Sequence, residues 1–231
     1  MQTTFKDVTM MPIAYVRTDF KEKFGIPRQS GRAPSTYGKV VFLPKYRNSE
    51  ALREIDGFSH LWLLFDFSKS HTQAFSPTVR PPRLGGNRRV GVFASRSPFR
   101  PNPIGLSCVQ LIKVEHTKEE GDVLIITGAD LLDMTPIFDV KPYLPYADSH
   151  PTAKGGYAEE EQNHRLNVTF EKGVFQLIPQ DKQQPLIECL SDDPRPSYHD
   201  DNRTYSMRFA DMDVHFQVQG DSLTVIGIDK E

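Results

Sequence analysis

Four short segments concentrate the side chains that could do chemistry. They are Pro27-Arg28-Gln29, Phe58-Ser59-His60-Leu61-Trp62, the long run RPPRLGGNRRVGVFASRSPFRPNPIGLS from Arg80 to Ser107, and DLLDMTPIFDVKPYLPY from Asp130 to Tyr146. Their arginines can fork a carboxylate or phosphate, a planar recognition that arginine does better than lysine. Asp130, Asp133 and Asp139 can accept from hydroxyl or amino hydrogens, and Asp130, Asp139 or His60 could take up a proton. Within SRSPFRPNPIGLS, prolines 98, 101 and 103 fix φ and push Ser97, Arg100 and Asn102 toward extended backbone. That stretch is neither helix nor central strand. It predicts a stiff loop whose polar side chains are aimed before any ligand arrives, so little ordering entropy is lost on binding.

The charge pattern names the kind of client. From Phe67 to Val114 there is no Asp or Glu, while Lys69, Arg80, Arg83, Arg88, Arg89, Arg96, Arg100 and Lys113 all fall inside. The formal net charge is only -2, with acidic residues gathered elsewhere, as in Glu159-Glu160-Glu161. A basic run is often just a solvated face, but here the positive charge is locally uncompensated. A segregated basic face on a near-neutral chain suits a polyanion. Arg80, Arg83, Arg88, Arg89 and Arg100 are the candidate backbone contacts, with Phe99, Tyr143 and Tyr146 as platforms for an unstacked base. Lys141 is a further candidate contact or the structural partner of Asp139.

Several other chemistries find no support. No GxGxxG follows a strand, and GRAPSTYGKV (31–40) has the wrong glycine spacing for a phosphate loop, with Val40 where a magnesium-binding hydroxyl belongs. There is no HExxH and the seven histidines are scattered, so no metal is expected. A GxSxG elbow is also missing. Two distant cysteines, Cys108 and Cys189, predict neither a disulfide framework nor a zinc knuckle. The first residues lack the apolar centre of a signal peptide, and LWLLF (61–65) is too short to span a bilayer, so a cytoplasmic protein is expected.

The elements that must position these residues are mostly strands. Pro12–Arg17, Lys39–Leu43, Leu61–Phe67, Arg89–Ala94, Leu106–Val114 and Val123–Gly128 mix β-branched and aromatic residues between Gly, Pro and Asn. One short helix is expected over Asn48–Ile55. Strands without alternating long helices disfavour a doubly wound sheet, and many strands hide their edges by closing into a barrel. The polar SHPTAKGGYAEEE (149–161) reads as a linker. Beyond it LNVTF is a strand, QPLIECL a helix, and Arg203–Asp229 a three-stranded meander turning at Gly220-Asp221. The expected organisation is a mainly β domain over 1–148 and a small α+β domain over 162–231.

The four segments together resemble the TrmO, or TsaA-like, family. The RPPRxGGNxRxGVFAxRSPxRPNPIGxS block, FSHLW and DLxDxTPxxDxKPYxP stand here nearly letter for letter, from about Val8 to Tyr146, with a weaker echo in DPRPSY at 193–198. The resemblance implies a single-sheet β-barrel, a homodimer with cofactor near the subunit interface, and an S-adenosyl-L-methionine-dependent tRNA methyltransferase. Its expected acceptor is the N6 nitrogen of threonylcarbamoyladenosine beside the anticodon. It carries cofactor contacts onto Pro27, Arg28, Gln29, His60, Leu61, Arg96, Leu106, Asp130, Leu131, Leu132 and Asp133. Arg28 or Arg96 would fork the cofactor carboxylate, and Leu106 would pack on the adenine. No spacing rule chooses a base among Asp130, Asp139 and His60. Two rival readings are a barrel that binds RNA without a cofactor, and a methyltransferase with a small-molecule acceptor. One departure stands out: Met134 occupies a turn position that is usually Gly in the family, which would strain it if φ is positive there.

Overall fold

A computed structural model of the chain describes residues 5–81, 88–159, 164–195 and 203–230. In chain order the first strands are β1 (Ala14–Thr18), β2 (Tyr37–Phe42), β3 (His60–Asp66), β4 (Thr78–Val79), β5 (Val90–Gly91), β6 (Ile104–Thr117), β7 (Gly121–Thr127) and β8 (Pro136–Pro142). Six of them close into a barrel in the order β1-β2-β7-β6-β3-β8, and β4 and β5 form a separate two-stranded ribbon. Every barrel pairing is antiparallel. The period-two alternation of the sequence explains the closure. Along β3, Leu61, Leu63 and Phe65 point inward and are buried, while the residues between them are half-exposed. Val16, Val40, Val109, Leu124, Ile126 and Ile137 complete this core from the other five strands.

The second unit builds a sheet in the order β10-β11-β12-β9 from β9 (Asn167–Phe170), β10 (Tyr205–Phe209), β11 (Met212–Gln219) and β12 (Ser222–Lys230). The last three are the expected meander, and β9 adds in parallel beside β12. Of the two α-helices among the described residues, α1 (Pro145–Asp148) and α2 (Gln180–Ser191), the second covers this sheet with Leu186, Cys189 and Leu190.

Three local expectations are corrected. Asn48–Ile55 forms a 3-10 turn over Ser49–Leu52 instead of an α-helix. The Asn48 side chain takes the Glu50 amide, and Glu54 turns left-handed at φ 65, so a helix cannot propagate. Arg89–Ala94 is mostly not strand: only Val90–Gly91 pairs, and Val92–Ala94 winds into a 3-10 turn. Conversely, β8 was not expected as a strand, because prolines at both its ends imitate loop punctuation. Prolines 136 and 142 sit at the first and last positions, where a missing ladder donor is tolerated.

Residues between β1 and β2 join the two units. Phe20 and Ala33 are buried in the C-terminal core, and Phe24 stacks on Tyr205 and Phe216. Gly25, at φ +90, lies so near Met207 that a Cβ there would meet the Sδ at 2.1 Å. Polar ties reinforce the seam: Ser35 donates to Glu188 from its amide (2.7 Å) and hydroxyl (2.8 Å), and Lys182 pairs with Asp19 at 2.6 Å.

Candidate active site

At one end of the barrel a cleft of about 410 Å³ opens among segments distant in sequence. Its walls are Pro27, Arg28 and Gln29 from the β1–β2 connection, Phe65 and Phe67 at the exit of β3, and Ser95, Arg96, Pro98 and Arg100 from the proline-rich loop. Ile104 to Ser107 at the start of β6 and Asp130 in the turn after β7 complete it. Each wall has a local cause. The proline-rich loop is stapled internally: Ser95 Oγ donates to the Val92 carbonyl, the Ser97 amide to Ser95 Oγ, and Arg100 Nη1 to the Ser95 carbonyl. Gly105 is required by contact, since a Cβ there would lie 2.1 Å from the Phe65 ring. The cleft thus has an aromatic wall, a cationic lip and a carboxylate.

That carboxylate is set apart. Ser107 Oγ donates to Asp130 Oδ1, and the Ser30 backbone also supports the carboxylate. Burial pushes the Asp130 carboxyl above the ordinary range, and the hydrogen bonds and the positive charge of Arg96 offset this only in part. Across the opening, Arg96 Nη1 donates to Gln29 Oε1 at 2.7 Å. An anionic group and a cationic group therefore face one hollow, an arrangement suited to a zwitterion.

The sequence-predicted cofactor residues divide in two. Pro27, Arg28, Gln29, Arg96, Leu106 and Asp130 share the cleft. Arg28 also turns toward the C-terminal unit, where Nη2 donates to the carbonyls of Arg195 (2.6 Å) and Asp193 (3.4 Å). The other five lie elsewhere. Leu61 and Leu131 are fully buried in the barrel core, and the Leu132 carbonyl accepts the Thr135 hydroxyl at 2.7 Å. His60 pairs with Gln110 and Leu63 with Ser107, so His60 lies about 10 Å up β3 from the level of Ser107. It contacts Ser59 Oγ through Nδ1 and packs near Tyr143. Asp133 accepts from the Thr18 amide and from Arg17 and Lys21, each at 3.0 Å. Asp139 accepts from Lys141 at 2.8 Å and from the Val140 amide at 2.9 Å.

Comparison with known proteins decides the family. A model described as the tRNA-methyltransferase O N-terminal domain matches residues 15–149, and one described as the TrmO C-terminal domain matches 163–231. The chain belongs to the TrmO family. It is 40% identical over 226 residues to a tRNA (adenine(37)-N6)-methyltransferase of Escherichia coli, covering 94% of this chain and 96% of the relative. It is 39% identical over 195 residues to the Homo sapiens protein of the same name, covering 81% of this chain and 41% of that relative. A crystal structure of TrmO from Pseudomonas aeruginosa superposes with a TM-score of 0.81 at 33% identity, covering all of both chains.

The TrmO barrel carries the basic segment on its surface. Arg80, Arg88 and Arg89 are exposed; Arg89 Nη1 donates to Thr78 Oγ1 across the β4–β5 ribbon, and Arg88 lies over the Tyr157 ring. Arg83 lies outside the described residues. Arg100 is half-buried in the cleft wall, Lys141 is exposed beside Asp139, Tyr143 packs on Trp62, and Tyr146 is 87% exposed. Sequence reasoning missed Phe65, Phe67, Ser30 and Ser107 at the cleft. The first two fall within the strand expected over Leu61–Phe67, and a serine's partner across a barrel rim leaves no local pattern. It also missed Phe75 and Phe93, which are exposed and stack at 6.4 Å within the acid-free interval. Among the described residues no group of three His, Cys, Asp or Glu could hold a metal ion, and no helix is long and apolar enough to cross a membrane.

Proposed function

We propose that this chain transfers a methyl group from S-adenosyl-L-methionine to the N6 nitrogen of adenosine 37 in tRNA, with the threonylcarbamoyl form of that base as substrate. The observation that carries it is the meeting of Arg96 and Asp130 in one cleft of a chain matched over 15–149 and 163–231 by the two TrmO domain models. The residues present fit the cofactor. Its volume is within the range of small-molecule sites, Phe65, Phe67 and Leu106 offer apolar surface to an adenine, and Arg96 offers donors to a carboxylate. Of the two arginines expected to fork that carboxylate we assign Arg96, because Arg28 is turned to backbone carbonyls. When bound, the cofactor supplies an electrophilic methyl on a positively charged sulfur.

Asp130 serves that positive charge. With the cofactor bound, Asp130 would accept the proton that N6 sheds on methylation. Its burial-raised pKa makes it a stronger base than an ordinary carboxylate. Asp139 is engaged by Lys141 and His60 stands off along β3, so neither is assigned this role. Phe65, Phe67 and the stapled loop exclude water and fix alignment, from which most of the rate can come.

Arg80, Arg83, Arg88, Arg89, Arg100 and Lys141 are assigned to the tRNA backbone, with Tyr143 and Tyr146 as base platforms. We further propose a homodimer acting in the cytoplasm, built as domains over 1–148 and 162–231. The outward face of β6 presents Ile104, Leu106 and Ile112, all more than a third exposed, for a second copy to cover. The deciding experiment is mass spectrometry of tRNA nucleosides from cells with and without the protein. An unchanged level of the N6-methylated threonylcarbamoyl nucleoside would sink the reading. Titration with S-adenosylmethionine separates it from a cofactor-free RNA binder. A flat response of binding to salt, in place of a log–log slope of about 0.7 to 0.9 per phosphate, would point to a small-molecule acceptor.

A further inference from the structure

The segment Pro27 to Gly31 is held from two sides, and the second side belongs to the C-terminal unit. On the barrel side the Gly31 amide donates to the Gly128 carbonyl at 2.8 Å, Ser30 Oγ accepts the Cys108 amide at 3.3 Å, and Gln29 takes Arg96. On the other side Asp192, at the C-terminal end of α2, accepts the Arg28 amide on Oδ2 at 3.2 Å and Arg32 Nε on Oδ1. Arg165 Nη1 approaches the same Oδ1 at 3.7 Å. The neighbouring Asp193 is clasped by Arg195 at 2.9 Å and by His164 at 3.0 Å. That clasp fixes the two carbonyls, of Asp193 and Arg195, to which the Arg28 guanidinium donates.

The Asp192 side chain is only 3% exposed. Burying a carboxylate is costly unless donors surround it, and breaking such a pair leaves an uncompensated charge. A seam that only had to hold two units together could use apolar contacts, as Phe20, Phe24 and Gly25 already do. The donors that Asp192 collects sit instead at positions 28 and 32, flanking the Gln29 that meets Arg96.

We infer that Asp192 is a positioning residue for the cofactor cleft: through it the C-terminal unit sets the Pro27–Gln29 wall and so tunes cofactor binding, without touching the cofactor. This rests on the assignment of the cleft to S-adenosylmethionine. Both Asp192 oxygens act as acceptors, so an amide in its place must turn its NH₂ toward either the Arg28 amide or Arg32, donor against donor. The wall then shifts although the side-chain volume is nearly unchanged.

The test uses the full chain and Asp192→Asn, with Lys182→Met as the control that loosens the same seam away from the cleft. Calorimetric titration with S-adenosylmethionine and steady-state kinetics are read beside the thermal midpoint. Asp192→Asn is expected to raise Kd and KM for the cofactor about tenfold while KM for tRNA moves less than twofold. Lys182→Met is expected to lower the midpoint with cofactor Kd unchanged. Should Asp192→Asn be insoluble, Arg32→Gln carries the test, since it removes a partner of Asp192 and lies outside the cleft lining. The inference is overturned if cofactor Kd stays within twofold of wild type, or if both variants lose cofactor affinity in step with their midpoints. Failure of the wild-type chain itself to bind S-adenosylmethionine would overturn the cleft assignment instead.

Discussion

Asp130 and Asp133 stand three residues apart in one turn, and the protein treats them in opposite ways. Asp133 is saturated: burial alone would raise its carboxyl, but the Thr18 amide with Lys21 and Arg17 pulls it below the ordinary range. Asp130 is left short of cationic partners: burial raises its carboxyl, and Ser107 and Arg96 do not make up the difference. A carboxylate whose partners are all supplied by the fold is part of the fold. One kept at a cost beside a hollow is held for something that arrives later. The sequence shows the two aspartates in the same motif, and only the neighbours contributed by β1 and β6 tell them apart.

The sharpest way to break this comparison is to neutralise Asp130. Asp130→Asn should lower kcat/KM on the order of 100-fold, the scale of a preorganised group aimed at reacting charge. Folding stability should move the other way or stay level. Because the folded carboxyl binds its proton more tightly than the unfolded one, stability falls as pH rises from the ordinary carboxylate pKa to the raised value, and stays lower above it. Asparagine removes that fall. Chemical denaturation of both proteins across pH 4 to 8 checks the sign, and a large stability loss at neutral pH would show Asp130 to be structural.

Asp133→Asn should give the reverse pattern. Its side chain is 12% exposed while its partners Arg17 and Lys21 are 47% and 35% exposed, so the ion pairs are partly screened. A loss of about 1 to 2 kcal/mol is expected, mostly from the hydrogen bonds to charged groups. The lowered carboxyl contributes stability that is present above its unfolded pKa and lost as pH falls through the folded one. The difference between wild type and variant should therefore shrink in acid. Cofactor affinity should change less than twofold, and a tenfold change would return Asp133 to the cofactor site.

Proton counting sharpens the contrast at smaller amplitude. A cation bound at the cleft stabilises ionised Asp130, so cofactor binding should release a fraction of a proton over the pH range in which that carboxyl titrates. Calorimetric enthalpies measured in buffers of different ionisation enthalpy read that fraction directly. Asp130→Asn should abolish the buffer dependence and Asp133→Asn should retain it.

These differences mark where the sequence is legible. Five of the six barrel strands could be read because each needs only its own alternation of buried and exposed residues, and the C-terminal meander adds turn residues such as Gly220 at φ 55. The proline-rich loop could be read because proline restricts its own backbone without help from tertiary contacts. What could not be read depends on partners far along the chain. Arg28 serves two units at once because Asp192 and Arg195 lie more than 160 residues away. Leu61 and Leu131 stand in two of the four motifs, yet both are buried in the barrel core, and only closure of the barrel determines that. β8 was hidden because the prolines that bound it are the usual marks of a loop.

The smallest effect concerns the residue between Asp133 and the strand that follows. Met134 is 54% exposed at φ 64, the left-handed region that a Gly would occupy freely. Its amide still donates to the Val16 carbonyl at 2.8 Å, so the turn keeps its closure and the strain is local. Met134→Gly would relieve about 1 kcal/mol of left-handed strain. It would also loosen the unfolded chain by about 0.5 to 1 kcal/mol, which opposes the gain. The net stabilisation should therefore stay below about 1 kcal/mol, readable as a small rise in denaturation midpoint with an unchanged slope. Because the strain sits at the saturated end of the turn, cofactor affinity should not follow. If Met134→Gly altered cofactor binding more than its stability, the turn would move as one body, and the distinction between its two carboxylates would be one of degree only.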